Sequence, residues 1–210
     1  MTETPTPSGD DGPAGPEGVP PDVFHGAYEG PAPWDTGRPQ PEVLSLLDRG
    51  AFTGEVLDIG CGSGENALAI AAAGLRVTAF DMVPRAVELA RDKALRRGIE
   101  RIELLTKNAL ELDFEARFDS ALDAGVFHVF SNDGRLVYRE VVHRALRPGA
   151  GLHVLVFSEH QGGGGPRRVT QAELRECFAD PWWAVEEIAE GRYDTRSGPK
   201  QAWRLHARRL

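Results

Sequence analysis

Short apolar runs alternate along most of this chain with longer stretches in which apolar residues recur every three or four positions. The runs at 55–59, 102–106 and 152–157 have the length and the apolar content of buried strands. The stretches that follow Pro41 and Pro84 have helical spacing, and proline is tolerated in the first turn of a helix. This regular alternation predicts an α/β domain with a mostly parallel sheet and helices on both faces.

The C-terminal part of the chain extends this pattern. Residues 133–146 keep apolar side chains on one helical face, and Thr170 with Glu173 is the capping-box pattern of a further helix. One domain is the expectation for 210 residues of which 41% are apolar. The sheet reaches seven strands with a run that ends at Asp81 and with runs at 118–125, 183–188 and 201–207.

Residues 1–22 differ in composition from the rest of the chain. They contain six prolines, four glycines and five acids with no base. So little apolar surface cannot offset the entropy cost of ordering the backbone. We therefore expect a disordered acidic tail at 1–22, ahead of a folded domain at 23–210.

A glycine-rich turn follows the strand at 55–59. Gly60, Gly62 and Gly64 let the backbone bend sharply and let a ligand lie against the main chain. Asp58, just before the turn, would repel a pyrophosphate but could balance a cationic ligand. Asp81, about 20 residues further on, is placed to accept hydrogen bonds from ribose hydroxyls. The pattern predicts a Rossmann-like nucleoside site and disfavours NADP, because no arginine adjoins Asp81.

This succession resembles the class I S-adenosylmethionine-dependent methyltransferases, whose signature is an acid-x-G-x-G-x-G turn followed by a ribose-binding acid. The resemblance runs from about residue 24 to residue 210 and includes Asn108-Ala109, with asparagine where aspartate is commoner. It implies S-adenosyl-L-methionine as the cofactor, S-adenosyl-L-homocysteine as its product, and no metal. The residues that it places around the cofactor are Trp34, Arg38, Asp58, Gly60, Cys61, Gly62, Gly64, Asp81, Met82, Asn108, Ala109, Asp123 and Ala124.

Residues 28–39 are rich in turn formers yet contain an indole and an opposed charge pair. Their Pro-Trp-Asp-x-Gly-Arg core resembles the N-terminal cover of thiol and halide methyltransferases, the group of thiocyanate and thiopurine methyltransferases and their bacterial relatives. The resemblance implies that residues 23–40 cover the cofactor, with Asp35 and Arg38 bracing the loop. It also implies that Trp34 lies against the sulfonium, since an aromatic face attracts a cation. The alternative is that Trp34 is only a core anchor.

The candidate acceptor site lies just beyond the fourth strand, where an open α/β sheet places its ligands. For His128, both a general base suited to neutral pH and a structural histidine bonded to the backbone remain open. The glycine run at 162–165 is either a lid or a flexible loop, and the adjacent Arg167 and Arg168 are expected to be solvated. The candidate wall residues are Tyr28, Phe127, His128, Phe130 and Tyr193.

Charge and cysteine content narrow the range of partners. The net charge is −8 and no block of lysine and arginine occurs, so we expect a small-molecule substrate and no nucleic acid. The two cysteines lie far apart, and no histidine or cysteine spacing indicates a metal site. No leader-like segment and no membrane-length apolar run is visible, which predicts a cytoplasmic protein without membrane contact. We expect a monomer or a weak homodimer.

These features together predict methyl transfer to a small molecule. A thiol is the favoured acceptor, because thiols ionise near neutral pH and need no strong base. An O- or N-methyltransferase of an aromatic or secondary metabolite is the alternative within the same class. From other classes, a non-catalytic S-adenosylmethionine-binding module and a hydride-transfer enzyme remain.

Overall fold

The computed structural model describes residues 18–210, so residues 1–17 of the predicted tail lie outside the described part of the chain. Residues 18–22 were expected to belong to that tail, but they are part of the folded domain. Val19 donates its N–H to the carbonyl of Val129 at 2.8 Å. A Cβ on Gly18 would come within 2.6 Å of the Ser131 nitrogen, an approach that only glycine permits.

The elements follow one another as the hydrophobic pattern predicts, with one addition, the short helix α1. Proline occupies the first turn of α1, α2 and α4, where its missing N–H costs no hydrogen bond. The elements are α1 (Pro21–Ala27), α2 (Pro41–Asp48), β1 (Glu55–Ile59), α3 (Glu65–Ala72), β2 (Arg76–Asp81), α4 (Pro84–Arg96), β3 (Ile102–Thr106), β4 (Phe118–Ala124), α5 (Asn132–Ala145), β5 (Leu146–Phe157), α6 (Gln171–Cys177), β6 (Trp183–Thr195) and β7 (Gly198–Arg209).

The seven strands form one sheet in the order β3-β2-β1-β4-β5-β7-β6. β1 to β5 pair in parallel, whereas β7 is antiparallel to both β5 and β6. The predicted seven-stranded, mostly parallel, Rossmann-like sheet is confirmed. Strand order reverses between β1 and β4, and the crevice beyond the carboxyl ends of such a pair is where open α/β sheets bind ligands.

The last two strands are longer than predicted. The apolar alternation stops near residue 188, but pairing continues to Thr195↔Gly198 at the tip of the hairpin. Backbone hydrogen bonds pair the additional residues of the two strands, and the pattern of apolar side chains gives no sign of them. As a result, Tyr193 and Lys200 face each other in register near the carboxyl ends of β4 and β5.

Buried side chains cover both faces of the sheet. Val56 packs with α2 and α3, whereas its neighbour Leu57 packs with α5, because successive strand residues point to opposite faces. Helices on both faces, as predicted, are thus confirmed. Within residues 18–210, no helix combines the length and the apolar character that a membrane span needs.

Candidate functional site

Two adjoining cavities lie at the carboxyl ends of β1, β2 and β4. The larger, which we call the main cavity, has a volume of about 490 Å³. The smaller, which we call the turn cavity, has a volume of about 50 Å³ and lies against residues 60–66. Trp34, Gly60, Ala124 and Tyr193 line both, so the two cavities form one continuous site.

The glycine turn has a shape that other residues cannot adopt. Gly62 has a φ of +55°, and a Cβ there would lie 2.8 Å from the Tyr28 hydroxyl oxygen. Gly64 has a φ of +90°, and a Cβ there would lie 2.7 Å from the Cβ of Ala90 in α4. The turn therefore depends on glycine both for its backbone conformation and for the close approach of its neighbours.

Asp81, at the end of β2, fastens this turn. Its Oδ2 accepts from the Gly62 N–H and its Oδ1 accepts from the Val83 N–H, each at 2.9 Å. Burial raises the pKa of Asp81 above its usual value. Each carboxylate oxygen keeps a further lone pair, and Asp81 lines the main cavity, so it can still accept hydrogen bonds from a ligand.

Two of the predicted cofactor residues, Asp58 and Asp123, lie behind the cavity wall. Neither lines a cavity, and their exposed fractions are 1% and 0%. Asp123 binds the loop after β4: it accepts from the Val126 N–H at 2.7 Å and from the Tyr138 hydroxyl at 2.5 Å. The prediction of direct contact is therefore wrong for Asp123, whose carboxylate is turned towards its own chain.

Asp58 is less fully satisfied than Asp123. Its Oδ2 has no hydrogen-bond partner among the described residues. Burial, followed by the charges of Asp123 and Asp81, raises its pKa well above the usual range. An orphaned acceptor of this kind beneath the turn creates a site that favours a hydrogen-bond donor or a positive charge.

The remaining predicted cofactor residues all line one of the two cavities. Arg38 lines the turn cavity and has no side-chain hydrogen bond or ion pair with any residue between 18 and 210. Cys61 lines the same cavity as a buried thiol whose pKa is raised, first by burial. Asp81, Met82, Asn108 and Ala109 line the main cavity, Gly62 and Gly64 line the turn cavity, and Trp34, Gly60 and Ala124 line both.

Trp34 sits at the junction of the two cavities. Its indole Nε1 donates to the Tyr28 hydroxyl at 3.1 Å, and its ring lies 6.0 Å from the rings of both Phe24 and Tyr28. It also packs against the small buried cluster around Ala32. Trp34 thus anchors the N-terminal segment and also lines the site, and its contact with the sulfonium stays a prediction.

The structure contradicts the general-base alternative for His128. Its Nδ1 accepts from the Phe157 N–H at 3.1 Å, and its ring is 3% exposed. Burial, together with the charges of Arg135 and Arg168, lowers its pKa to about 3. A histidine whose acceptor nitrogen is occupied and whose pKa is this low is structural, although its ring lines the main cavity.

Phe127 is also misassigned as a wall residue. It lies in the short 3₁₀ turn after β4, is fully buried, and packs against Tyr138 and Phe178 at ring distances of 5.9 Å and 5.4 Å. The turn rotates its side chain into the core. The other predicted wall residues, Tyr28, His128, Phe130 and Tyr193, line the main cavity.

Several wall residues carried no signal that sequence reasoning could use. Phe157 is the last residue of a strand that otherwise reads as core, and it packs against Tyr193 at a ring distance of 5.3 Å. Lys200 reaches the main cavity only because the β6–β7 hairpin is longer than its apolar pattern. Phe24 reaches it from α1, which was not predicted.

The glycine run at 162–165 is folded around a guanidinium. Arg168 donates to the carbonyls of Gln161, Gly162, Gly163, Gly164 and Pro166 and lies 5.3 Å from the Phe157 ring centroid. Gly164, Gly165 and Pro166 form part of the main cavity wall. The expectation that Arg168 is solvated is therefore wrong, and so is that for Arg167, which binds Asn132 and Glu173.

Asp81, beside the glycine turn, is the sole carboxylate among the described residues that line the main cavity. Of the two lysines, Lys107 is paired with Asp113 at 2.7 Å, whereas Lys200 has no such partner within residues 18–210. The described part of the chain also contains no group of three histidine, cysteine or acidic residues that could hold a metal ion. The end of the cavity beyond Trp34 is thus aromatic and cationic.

Comparison with known proteins identifies several that are similar to this chain. Residues 56–149 match a family model described as a methyltransferase domain. A 2-heptyl-1-hydroxyquinolin-4(1H)-one methyltransferase from Mycobacteroides abscessus is 33% identical over 81% of this chain and 80% of its own. A probable thiol methyltransferase from Arabidopsis thaliana is 28% identical over 71% of this chain and 67% of its own.

Solved structures agree with these matches. One, from work on the conversion of a disulfide bond into a thioacetal group during echinomycin biosynthesis, is 35% identical, covers 90% of this chain and 92% of its own, and has a TM-score of 0.81. Another is a 1,6-didemethyltoxoflavin N1-methyltransferase from Burkholderia thailandensis with bound S-adenosylhomocysteine. It is 27% identical, covers 81% of this chain and 77% of its own, and has a TM-score of 0.64.

Proposed function

We propose that this chain methylates a small molecule that enters the site as an anion. The chain belongs to the S-adenosylmethionine-dependent methyltransferases, and this membership is the premise of the proposal. A thiolate is the first candidate. Membership of the family makes the chain an enzyme of this class, in preference to a binding module or a hydride-transfer enzyme.

The residues around the glycine turn fit the cofactor. Arg38 at the turn cavity is available to a carboxylate, and a cationic ligand at the turn would favour the ionised form of the buried Asp58. Asp81 retains lone pairs for ribose hydroxyls, and Asn108 with Ala109 lines the expected adenine end of the main cavity. When bound, S-adenosylmethionine supplies an electrophilic methyl group on a positively charged sulfur.

The observation that carries the proposal is the absence of a proton acceptor at the other end of the main cavity. Among the described wall residues there, no carboxylate occurs, and the imidazole of His128 is bonded to the backbone with a pKa lowered to about 3. An acceptor that must lose a proton to the protein would find no group to take it. A thiol ionises near neutral pH by itself, so it needs no such group.

The charge of the wall favours the same class of acceptor. Lys200 lies opposite Tyr193 in the β6–β7 pair, and side chains directly opposite in an antiparallel pair share one face of the sheet. Arg168 adds a second positive charge behind Phe157. In an apolar cavity these charges attract an anion more strongly than they would in water. The chain's own contribution is then to hold and orient the anion, which is the main source of rate in a direct displacement.

Two of the similar proteins support sulfur as the atom that is methylated. One is a probable thiol methyltransferase, and the structure from echinomycin biosynthesis concerns the conversion of a disulfide into a thioacetal. The Pro-Trp-Asp-x-Gly-Arg segment, with Trp34 between the two cavities, is consistent with the same group.

A hydroxylated aromatic ring is the second candidate. The relative from Mycobacteroides abscessus acts on a quinolone that carries a hydroxyl group and a heptyl chain. Phe24, Phe130 and Phe157 give the main cavity aromatic walls that would suit such a ring. Because no base is available, we restrict this candidate to hydroxyl groups that are acidic enough to ionise by themselves.

The experiment is an acceptor panel with a radiolabelled methyl donor. It compares aliphatic and aromatic thiols, hydroxylated heteroaromatic rings, neutral alcohols and amines at equal concentration. We expect transfer to thiols first and to acidic hydroxyls second, with no transfer to simple alcohols. Efficient methylation of an aliphatic alcohol or of an amine, with thiols inert, would contradict the proposal.

A further inference from the structure

Lys93 joins the glycine turn to the segment that covers it. The Lys93 ammonium donates to Ser63 Oγ at 2.6 Å, and Ser63 Oγ donates to Asp35 Oδ2 at 2.5 Å. The same ammonium lies 3.9 Å from Asp35 Oδ2. Ser63 belongs to the turn, Asp35 to the cover and Lys93 to α4, so one ammonium group links three separate parts of the chain.

The reach of Lys93 depends on small residues where α4 meets the turn. Gly64 and Ala90 are in such close contact that an added Cβ on Gly64 would lie 2.7 Å from the Ala90 Cβ. Lys93 follows Ala90 by three positions and therefore lies on the same face of α4. The helix approaches the turn closely at Ala90, and the Lys93 side chain then extends over Ser63.

Glu65 balances the charge of Lys93 from the other side. Its Oε1 accepts from Lys93 at 2.9 Å, and its carboxylate also accepts two hydrogen bonds from Arg97, at 2.9 Å and 3.0 Å. Arg97 therefore shares Glu65 with Lys93 but makes no hydrogen bond or ion pair with Ser63 or Asp35. The side chains of Lys93 and Asp35 are 18% and 21% exposed, so water screens their attraction only in part.

Asp35 connects the Lys93–Ser63 contact to Trp34, its neighbour in the chain. Its Oδ1 accepts from the Gly37 N–H at 2.9 Å, its N–H donates to the Ala32 carbonyl at 3.0 Å, and its neighbour Trp34 lines both cavities. The turn at 32–37 is thus fixed from within by backbone bonds. It is fixed to the body of the protein by the Asp35 carboxylate and, on the side of the β6–β7 hairpin, by the Arg196 N–H, which donates to the Pro33 carbonyl at 2.8 Å.

We propose that Lys93 is a positioning residue that holds residues 33–38 closed over the cofactor site, through Ser63 and Asp35. Lys93 itself lines neither cavity, and it acts through Ser63 and Asp35, which line the turn cavity. Its loss leaves the Asp35 carboxylate without its nearest cation and the Ser63 hydroxyl without the donor that orients it. The cover then opens more readily, and the cofactor is held less tightly. This inference rests on the proposed placement of the cofactor at the glycine turn.

The test compares Lys93→Met with Arg97→Met in the full chain. Each variant removes one cation from Glu65 and keeps a long, helix-compatible side chain, but only Lys93→Met breaks the link to the cover. S-adenosylhomocysteine affinity is measured by calorimetry, and amide hydrogen exchange is followed across residues 33–38. We expect Lys93→Met to raise Kd by roughly tenfold and to speed exchange in the cover, with Arg97→Met within about twofold of the parent.

Equal effects of the two substitutions would mean that Lys93 serves only to neutralise Glu65, and the inference would be overturned. Unchanged affinity and exchange in Lys93→Met would overturn it equally. If that variant fails to fold, Asp35→Asn tests the same link from the side of the cover, with the same expected rise in Kd and faster exchange across residues 33–38. No binding of S-adenosylhomocysteine by the unsubstituted chain would instead count against the cofactor placement, so the two failures are distinguishable.

Discussion

The two ends of the main cavity are built by different means. The end at the glycine turn, where we propose that adenosine binds, is formed by short stretches in which neighbouring residues act together, such as the turn at 60–64 and Asp81 with its bond to Val83. The other end, the proposed acceptor end, is assembled from α1, the loop after β4, the glycine run and the β6–β7 hairpin. The first end is fixed by backbone hydrogen bonds and glycine conformation, and the second by packing of side chains distant in sequence. Loss of a single group should therefore affect cofactor affinity at one end and acceptor choice at the other.

The largest effect is expected from adding a side chain to the glycine turn at Gly62. Gly62→Val places a branched side chain at a φ of +55° and within 2.8 Å of the Tyr28 hydroxyl. We expect cofactor affinity to fall by more than about a hundredfold, because strain and collision both act in the cavity. The measurement is calorimetry with S-adenosylhomocysteine. Gly30→Ala is the control, since a Cβ on Gly30 meets nothing within 4 Å and should change little.

Removal of the Asp81 carboxylate should have the next largest effect. Asp81→Ala releases the Gly62 and Val83 N–H groups and removes the acceptors offered to the ribose. We expect a loss of about 1.5 to 3 kcal/mol in cofactor binding, the range for hydrogen bonds to a charged group. Asp92→Ala, which alters an exposed acid of α4, is the matched control. Unchanged affinity in Asp81→Ala would remove Asp81 from the cofactor site.

This contrast also explains what could be read from the sequence. Gly60, Gly62 and Asp81 act through local backbone geometry, so their spacing alone predicted where they lie. Phe127 and His128 also follow a predicted strand, but a single 3₁₀ turn directs Phe127 into the core and binds His128 to Phe157. The spacing of apolar residues in the sequence does not indicate how such a turn orients its side chains.

Long-range charge and pairing were equally invisible in the sequence. From the sequence, Arg168 was expected to be exposed beside a flexible glycine run. In the structure, its guanidinium donates hydrogen bonds to five backbone carbonyls of that loop. Lys200 reaches the cavity through backbone pairing that continues beyond the apolar alternation of β6. These residues act through tertiary contacts, so their place depends on the complete fold.

At the acceptor end, Lys200 should control affinity for the acceptor and leave the cofactor untouched. Lys200→Met removes the unpaired cation but keeps an apolar side chain of similar length. We expect KM for an anionic acceptor to rise by about five- to tenfold, a typical effect for one charged contact, with cofactor Kd unchanged. Arg85→Met alters an exposed pair with Glu88 and serves as the control. An equal rise in cofactor Kd would contradict the claim that the two ends of the cavity bind cofactor and acceptor separately.

The last effect is on stability against acid, not on binding. The pKa of His128 is lowered from 6.5 to about 3 by burial, so the unfolded chain takes up this proton first as the pH falls. The stability that neutral His128 contributes is complete above pH 6.5 and is lost as the pH falls towards 3. Asp123 acts in the opposite sense, because burial raises its pKa from 3.8 to about 6. Its burial costs stability at neutral pH, and that cost disappears as the pH falls through this window.

His128→Asn separates these two contributions. The amide oxygen of asparagine can still accept from the Phe157 N–H but does not titrate. We expect thermal unfolding midpoints to fall less steeply between pH 6.5 and pH 4 in this variant than in the parent. Identical slopes would show that His128 does not titrate as its burial requires.

The most direct test of an acceptor that arrives as an anion is the pH dependence of kcat/KM for a series of acceptors with different pKa values. It is measured in the parent and in His128→Asn. We predict that kcat/KM rises up to the pKa of each acceptor, that the inflection moves with that pKa, and that His128→Asn leaves it in place. An inflection that stays at one pH for every acceptor and disappears in His128→Asn would instead identify a protein base and contradict the account.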